Sequence, residues 1–413
     1  MGMRRPRRVG RRPFFAETSQ GDWEVATPLS AISLAALFPL APMGKESILE
    51  TSPAFRAWVS RTSLRLPPPS RMVGLGVTLK TRLLPLIVLL LGAPLAAVAA
   101  TDANPNVKLT RLDDRVRVEI GGQLFTEYIF GDGASRSYCY PVLAPDGTPL
   151  TRDFPMKKTP GEDDDHPWQR SFWFAHSMVG GIDFWNEGDG DAGHSPKEKG
   201  RTAVDGVVET TSGATGVIRV HDRMLAPDGR LVATDERTVR FSAGPAGRFI
   251  DFEITLHALP GEPLLIGDNK DGTMATRVAQ WLTMSHKVKG VDTGGSGHIV
   301  TAKGALDAKA WGTRADWCDY HAEHNGKTYG IAIFDHPQNL RHPTWWMARD
   351  YGLFGANPFG QHEFENLPAQ PHLGDYTIPA GGSLTLRYRF YFHLGDEKAA
   401  QLAERYTEYA AGK

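Results

Sequence analysis

Alternation of apolar and polar positions is the dominant pattern between residues 115 and 393. Arg115–Ile120 reads RVRVEI, and after Gly121-Gly122 the same period continues through Gln123–Phe130. Gly216–Met224, Leu231–Ser242 and Phe249–Leu256 are further runs of this kind. Ala226-Pro227-Asp228-Gly229, between the first two of them, has the chemistry of a hairpin turn. Near the C-terminus Leu384, Leu386, Tyr388, Phe390 and Phe392 alternate with Thr385, Arg387, Arg389, Tyr391 and His393. Successive side chains of a strand point to opposite faces, so each run predicts an antiparallel strand with one buried face. Only Glu397–Ala411 carries a helical pattern. Glycine and proline, at 44 and 29 residues, punctuate the rest. The prediction is a mainly β chain: a large antiparallel β-sandwich with a short C-terminal helix.

The ends change the length of chain available to that sandwich. The chain has 413 residues, and from Met72 it reads MVGLGVTLKTRLLPLIVLLLGAPLAAVAA, the layout of a secretory signal. Lys80 and Arg82 give the positive flank, Leu83–Leu91 the apolar stretch and Ala97-Val98-Ala99 the cleavage site. The apolar run is too short for a good membrane span. Residues 72–100 are therefore expected to be a signal peptide, and 1–71 an upstream extension without a fold or a mis-assigned start. Residues 101–413 are expected to form a single sandwich domain, periplasmic or secreted, with no membrane contact after cleavage. A formal net charge of −1 argues against a nucleic-acid partner. Cys139 and Cys318 are the only cysteines, and their spacing leaves open whether they pair.

Candidate chemistry concentrates in a few segments dense in both rings and polar groups. Phe334–Gly360 holds Asp335, His336, Arg341, His342, Arg349, Asp350 and Asn357 among Trp345, Trp346, Tyr351, Phe354 and Phe359. Asp165–His176 adds His166, Trp168, Arg170 and His176; Gly267–Gly272 adds Asp268 and Lys270; and Ala310–Tyr320 adds Trp311 and Arg314. Loops gathered at one end of a rigid sheet scaffold commonly make a cleft, and these segments are expected to do so. Flat rings match sugar C–H faces while Arg, Asp, Asn and His bond the hydroxyls, which points to a small-molecule or oligosaccharide ligand. On this reading His336, His342, Asp335, His166, His176 and Asp350 are acid–base candidates. Arg170, Arg314, Trp311, Trp345, Tyr351, Asn357, Asp268 and Lys270 are binding candidates. The histidines are also of metal-ligating type, but their spacing fits no metal motif and no cofactor is expected. His176 equally suits a hydrogen-bonded core histidine, Arg170 and Asp165 an ion pair, and Asp268 and Lys270 a turn. Asn186–Gly200 reads as a surface loop or a flap.

The runs YCYPVLAPDGTPLTRDFP (138–155), DHPWQRSFWFAH (165–176), WGTRADWCDY (311–320) and IAIFDHPQNLRHPTWWMARDYGLFGANPFG (331–360) resemble the exported bacterial family labelled methane oxygenase PmoA-like. The resemblance covers Arg111 to Gly395, and it departs at Gln169, where relatives carry a second histidine. It implies an exported all-β domain in the style of the galactose-mutarotase supersandwich, and its label implies a metal-dependent oxygenase. Three functions are thus in view: a carbohydrate-active enzyme, a non-catalytic carbohydrate-binding protein and an oxygenase.

Overall fold

The alternating runs pair into a nine-stranded antiparallel sheet in the computed structural model, which describes residues 106–188, 196–205, 209–245, 247–288, 291–292 and 294–412. In spatial order its strands are His298–Thr301, Trp317–His324, Lys327–Asp335, Ser383–Leu394, Gly247–His257, Leu231–Gly244, Gly216–Leu225 and Arg201–Val204, with Glu209–Thr211 also paired to Gly216–Leu225. Inward positions such as Val239, Phe241, Ile250, Phe252, Ile254, Leu386 and Phe390 are buried, while Arg240, Asp251, Glu253, Arg387 and Arg389 face outward. The helix Leu402–Ala410 covers part of that outer face, with Tyr406 and Tyr409 against Phe334. It starts later than the sequence pattern suggests because Gln401 sits in the left-handed region (φ 56°), leaving Glu397–Ala400 as turn.

Facing it is an eight-stranded antiparallel sheet in the order Val107–Arg111, Arg115–Ile120, Gln123–Ile129, Tyr138–Cys139, Phe172–His176, Gly272–Arg277, Leu353–Asn357 and Trp345–Ala348. Phe172 meets Phe390 edge-on with centroids 4.7 Å apart, and Phe125 meets Phe392 at 5.7 Å, so the two inner faces form one core. This is a supersandwich: two large antiparallel sheets with a short C-terminal helix, as expected.

The second sheet differs from the first in one respect that matters for function. Its strands Phe172–His176, Gly272–Arg277, Trp345–Ala348 and Leu353–Asn357 are buried at every position. Phe172, Phe174, Met274, Trp346 and Phe354 point into the core between the sheets. Trp173, Ala175, Ala275, Trp345, Met347 and Leu353 point outward into a second apolar cluster with Tyr138, Trp185 and Phe364. With both faces covered, period-two alternation disappears from these strands. The segments expected to be loops at one end of the scaffold thus include central and edge strands of this sheet.

Cys139 and Cys318 lie on different sheets, both free and buried, and burial pushes both thiols up. Among the described residues no helix is long and apolar enough to cross a membrane. The expected extension (1–71) and signal (72–100) lie outside the described residues, as does the middle of the Asn186–Gly200 loop (189–195).

Candidate active site

The four polar-aromatic segments do converge, on the outer face of the eight-stranded sheet. They line a cleft of about 290 Å³. His166, Trp168 and Gln169 come from one segment, Lys270 and Asp271 from another, Trp311 from a third, and Met347, Arg349, Tyr351 and Leu353 from the longest; Trp185 and Asn186 complete the wall. Met347 and Leu353 are outward positions of paired strands, so the sheet itself forms part of the lining. An adjoining cavity of about 380 Å³ shares His166 and Tyr351 and is acidic, lined by Asp163, Asp164, Asp165, Asp350 and Ser285.

His166 stands at the junction of the two spaces. Its ring is parallel to Tyr351 with centroids 5.5 Å apart, and edge-on to Trp168 at 5.3 Å. Nδ1 is buried 2.7 Å from Asp165 Oδ2, while the side chain is 37% exposed, which leaves the Nε2 edge open to a ligand. Asp165 is fixed in turn: its Oδ1 accepts from Arg152 Nη1 at 2.5 Å and from Arg277 Nη2 at 2.9 Å. Burial opposes its ionisation, yet His166 and the two guanidinium charges hold the Asp165 carboxyl well below the usual carboxylate range. Burial pushes Arg152 down to about 10, still charged at neutral pH. Arg277 also donates to Gln169 Oε1 at 2.5 Å and lies 4.5 Å over the Tyr351 ring. The outcome is an imidazole oriented by an ionised, rigidly held carboxylate beside aromatic walls.

Other binding candidates meet the cleft as structural supports. Lys270 lines it, with Nζ 3.1 Å from Glu363 Oε1. Trp345 is buried beneath the Arg314 guanidinium (4.4 Å), which donates to the Pro343 and Arg341 carbonyls. Asn357 is buried, with its amide bonded to the Asn269 and Lys270 carbonyls, and so fixes the backbone carrying Lys270. Asp268 is buried, accepting from Gly374 N and His362 N. Arg170 pairs with Glu187 at 3.0 Å rather than with Asp165.

Several acid–base candidates lie elsewhere. His336 lines a separate cavity of about 220 Å³ on the outer face of the nine-stranded sheet, with Arg387, Arg389, Glu253 and Asp251. The core between the sheets separates it from His166. Burial and the nearby Arg387 charge lower its pKa. Asp335 is fully buried and bonds Asn339 Nδ2 (2.7 Å), Thr344 N (2.9 Å) and His342 Nδ1 (2.8 Å), which anchors the 336–344 connection between the two sheets. His176 is a core residue: its Nε2 lies 2.7 Å from the Gly267 carbonyl, and a Cβ at Gly272 would come within 2.1 Å of its Nδ1. Burial pushes it down to about 4, the neutral form. Asp350 is exposed and its residue lines the adjoining acidic cavity rather than the cleft.

Alternation in the sequence does not single out Trp185 or Arg349. Trp185 precedes a Gly/Asp-rich stretch that reads as surface, and Arg349 is one of many cations in a crowded segment. The guanidinium of Arg349 lies 3.4 Å from the Trp311 ring centroid. A larger cavity, about 570 Å³, lies beside Trp281 and His324, whose rings stack at 4.4 Å. Its carboxylates serve their own loop: Glu162 accepts from Asp153 N and Phe154 N, and Asp153 accepts from Tyr140 and Lys157. Volume alone therefore does not make it the better site. Among the described residues no group of three or more His, Cys, Asp or Glu is arranged to hold a metal ion.

Curated proteins give no match to this chain. Among solved structures, a galactose mutarotase-like protein from Lactobacillus casei aligns over 70% of this chain and 100% of its own, at 8% identity and a TM-score of 0.32. An α-galactosidase from Geobacillus stearothermophilus aligns over 70% of this chain and 41% of its own, at 10% identity and a TM-score of 0.35. An α-galactosidase from Lactobacillus brevis aligns over 70% and 39%, at 8% identity and a TM-score of 0.33. This chain thus spans less than half the length of either galactosidase. The family comparison corrects the expected PmoA-like membership and removes the oxygenase reading that rested on its label: residues 115–407 match the model of a different family. The protein belongs to the family of unknown function DUF6807.

Proposed function

We propose that the cleft on the eight-stranded sheet binds a carbohydrate or sugar-derived ligand and that His166 moves a proton on it. The observation that carries this reading is the open Nε2 edge of His166, oriented through Nδ1 by Asp165, within a cleft walled by Trp168, Trp185, Trp311 and Tyr351. Indole and phenol faces match the C–H faces of a pyranose ring. His166 takes one proton from an anomeric hydroxyl or a carbon beside a carbonyl and returns it to the same molecule. Asp165 stabilises the imidazolium in between. No oxidant or second substrate is needed.

Pairing within the site favours one second reading, a binding protein without turnover: Asp165 is shared by two arginines and Lys270 is engaged by Glu363. One experiment separates the two. The purified chain is incubated with neutral aldoses, uronates and short oligosaccharides, binding is followed by calorimetry and product by NMR. Chemical change that falls about 10²–10⁴-fold in His166→Ala, with the melting temperature unmoved, supports proton transfer. Binding without change after long incubation selects the second reading, and absence of any sugar binding removes both.

A further inference from the structure

We infer that the ligand of this cleft carries a carboxylate, as a uronate does, and that Arg349 receives it; this inference rests on the carbohydrate reading above. The cations around the cleft fall into two groups. Arg152 and Arg277 bond Asp165, Arg170 pairs with Glu187, Lys270 with Glu363, and Arg314 donates to backbone carbonyls. Arg349 is different. Among the described residues its guanidinium makes no hydrogen bond and no ion pair, although the residue is half-buried and lines the cleft.

It lies over the Trp311 ring, 3.4 Å from the centroid. So short a separation requires the guanidinium to lie flat on the indole, as Arg does on aromatic faces. Stacking satisfies the face of the group and leaves its five N–H donors, which lie in its plane, unsatisfied at the edge. None of its nitrogens is among the sealed, unpaired polar atoms of the described residues, so the donors open into the cleft where a ligand can replace water on them. The fork of donors fits the two oxygens of a planar carboxylate. Tyr351, whose hydroxyl feels the Arg349 charge, is the residue that stacks on His166, so the anion site and the proton-transfer site belong to one chamber. Carboxylates also oppose an anion here: Asp271 lines the cleft but is nearly sealed, Asp165 is held by Arg152 and Arg277, and Asp163, Asp164 and Asp350 line the adjoining cavity rather than the cleft.

The test measures affinities of the full chain for glucuronate and galacturonate against glucose and galactose, with glucose 6-phosphate and inorganic phosphate as further arms. Uronates are expected to bind at least about tenfold tighter than the neutral sugars, a preference that weakens as salt is raised. In Arg349→Gln the ratio of the two affinities is expected to fall to near unity, and in Arg349→Lys to recover only in part, with unfolding temperatures unchanged. Neutral sugars bound as tightly as uronates would overturn this inference and leave the carbohydrate reading standing. A preference that survives Arg349→Gln would overturn the assignment of Arg349. Tighter binding of the phosphorylated arms would replace carboxylate by phosphate and overturn the inference as stated. Failure of every sugar arm would remove the underlying reading as well.

Discussion

At His176 the sandwich holds an imidazole out of water, between the Gly267 carbonyl and the Phe359 ring. Its folded pKa of about 4 lies below the usual unfolded value of about 6.5. The unfolded chain therefore binds a proton that the folded chain refuses. The stability His176 contributes is complete above about pH 6.5 and is lost as pH falls from there through about 4, by roughly 3 kcal/mol in all. His176→Leu is expected to flatten that part of the stability–pH curve, as read by urea unfolding across the window. Equal slopes for the two chains would remove His176 as the cause. His166 has the same side chain and a different setting, with an open ring edge and a fixed carboxylate behind it. Residue type made both candidates; exposure distinguishes them.

Between the strands Lys327–Asp335 and Trp345–Ala348 the chain passes from one sheet to the other, and Asp335 ties that passage down. One buried carboxylate takes the Asn339 amide, the Thr344 N–H and the His342 ring. Asp335→Ala would leave the Thr344 N–H buried without its acceptor and take a partner from the Asn339 amide and the His342 ring, at about 2–4 kcal/mol, and a clear drop in melting temperature is expected. His336→Ala, on the far face, is expected to melt close to the parent. Similar melting of the Asp335 variant and the parent would show that the connection does not depend on this anchor. The elements also differ in how openly the sequence shows them. Arg115–Ile120 and Ser383–Leu394 alternate because one face meets water or charge, and both are legible as strands. Phe172–His176 and Trp345–Ala348 are buried on both faces, so their strand character is masked by the same aromatics that mark the site.

Across the whole molecule the two sheets are joined by apolar packing and by buried cations, among them Arg248, which donates to the Leu124, Leu143 and Ala144 carbonyls, and an ionic group around Arg237. Arg237, on the nine-stranded sheet, faces Asp222 and Asp235 at 3.0 and 2.7 Å and reaches Ser137 Oγ, beside the eight-stranded sheet, at 3.3 Å. Burial, with Asp235 alongside, pushes the Asp222 carboxyl up although Arg237 opposes the shift. Arg237→Met is expected to cost about 3–5 kcal/mol, because two buried carboxylates lose the cation that both of them face. Adding Asp222→Asn and Asp235→Asn should restore part of that loss, a non-additivity read by denaturant unfolding of the single, double and triple variants. Strictly additive changes would show that the three groups do not act as a unit.

The order of apolar and polar residues by itself determined the architecture: alternation every second residue requires paired strands with one buried face, and the sandwich follows. It also marked the segments rich in rings and charge, because such mixtures are costly to bury without a purpose. Only the tertiary structure decided which members of those segments meet. The 336–344 connection carries His336 to one side of the core while Arg349 and Tyr351, a few residues further on, arrive at the other. A connection that crosses from one sheet to the other, over a core about 10 Å thick, separates neighbours in sequence, while pairing within each sheet brings distant ones together. No local pattern records that choice.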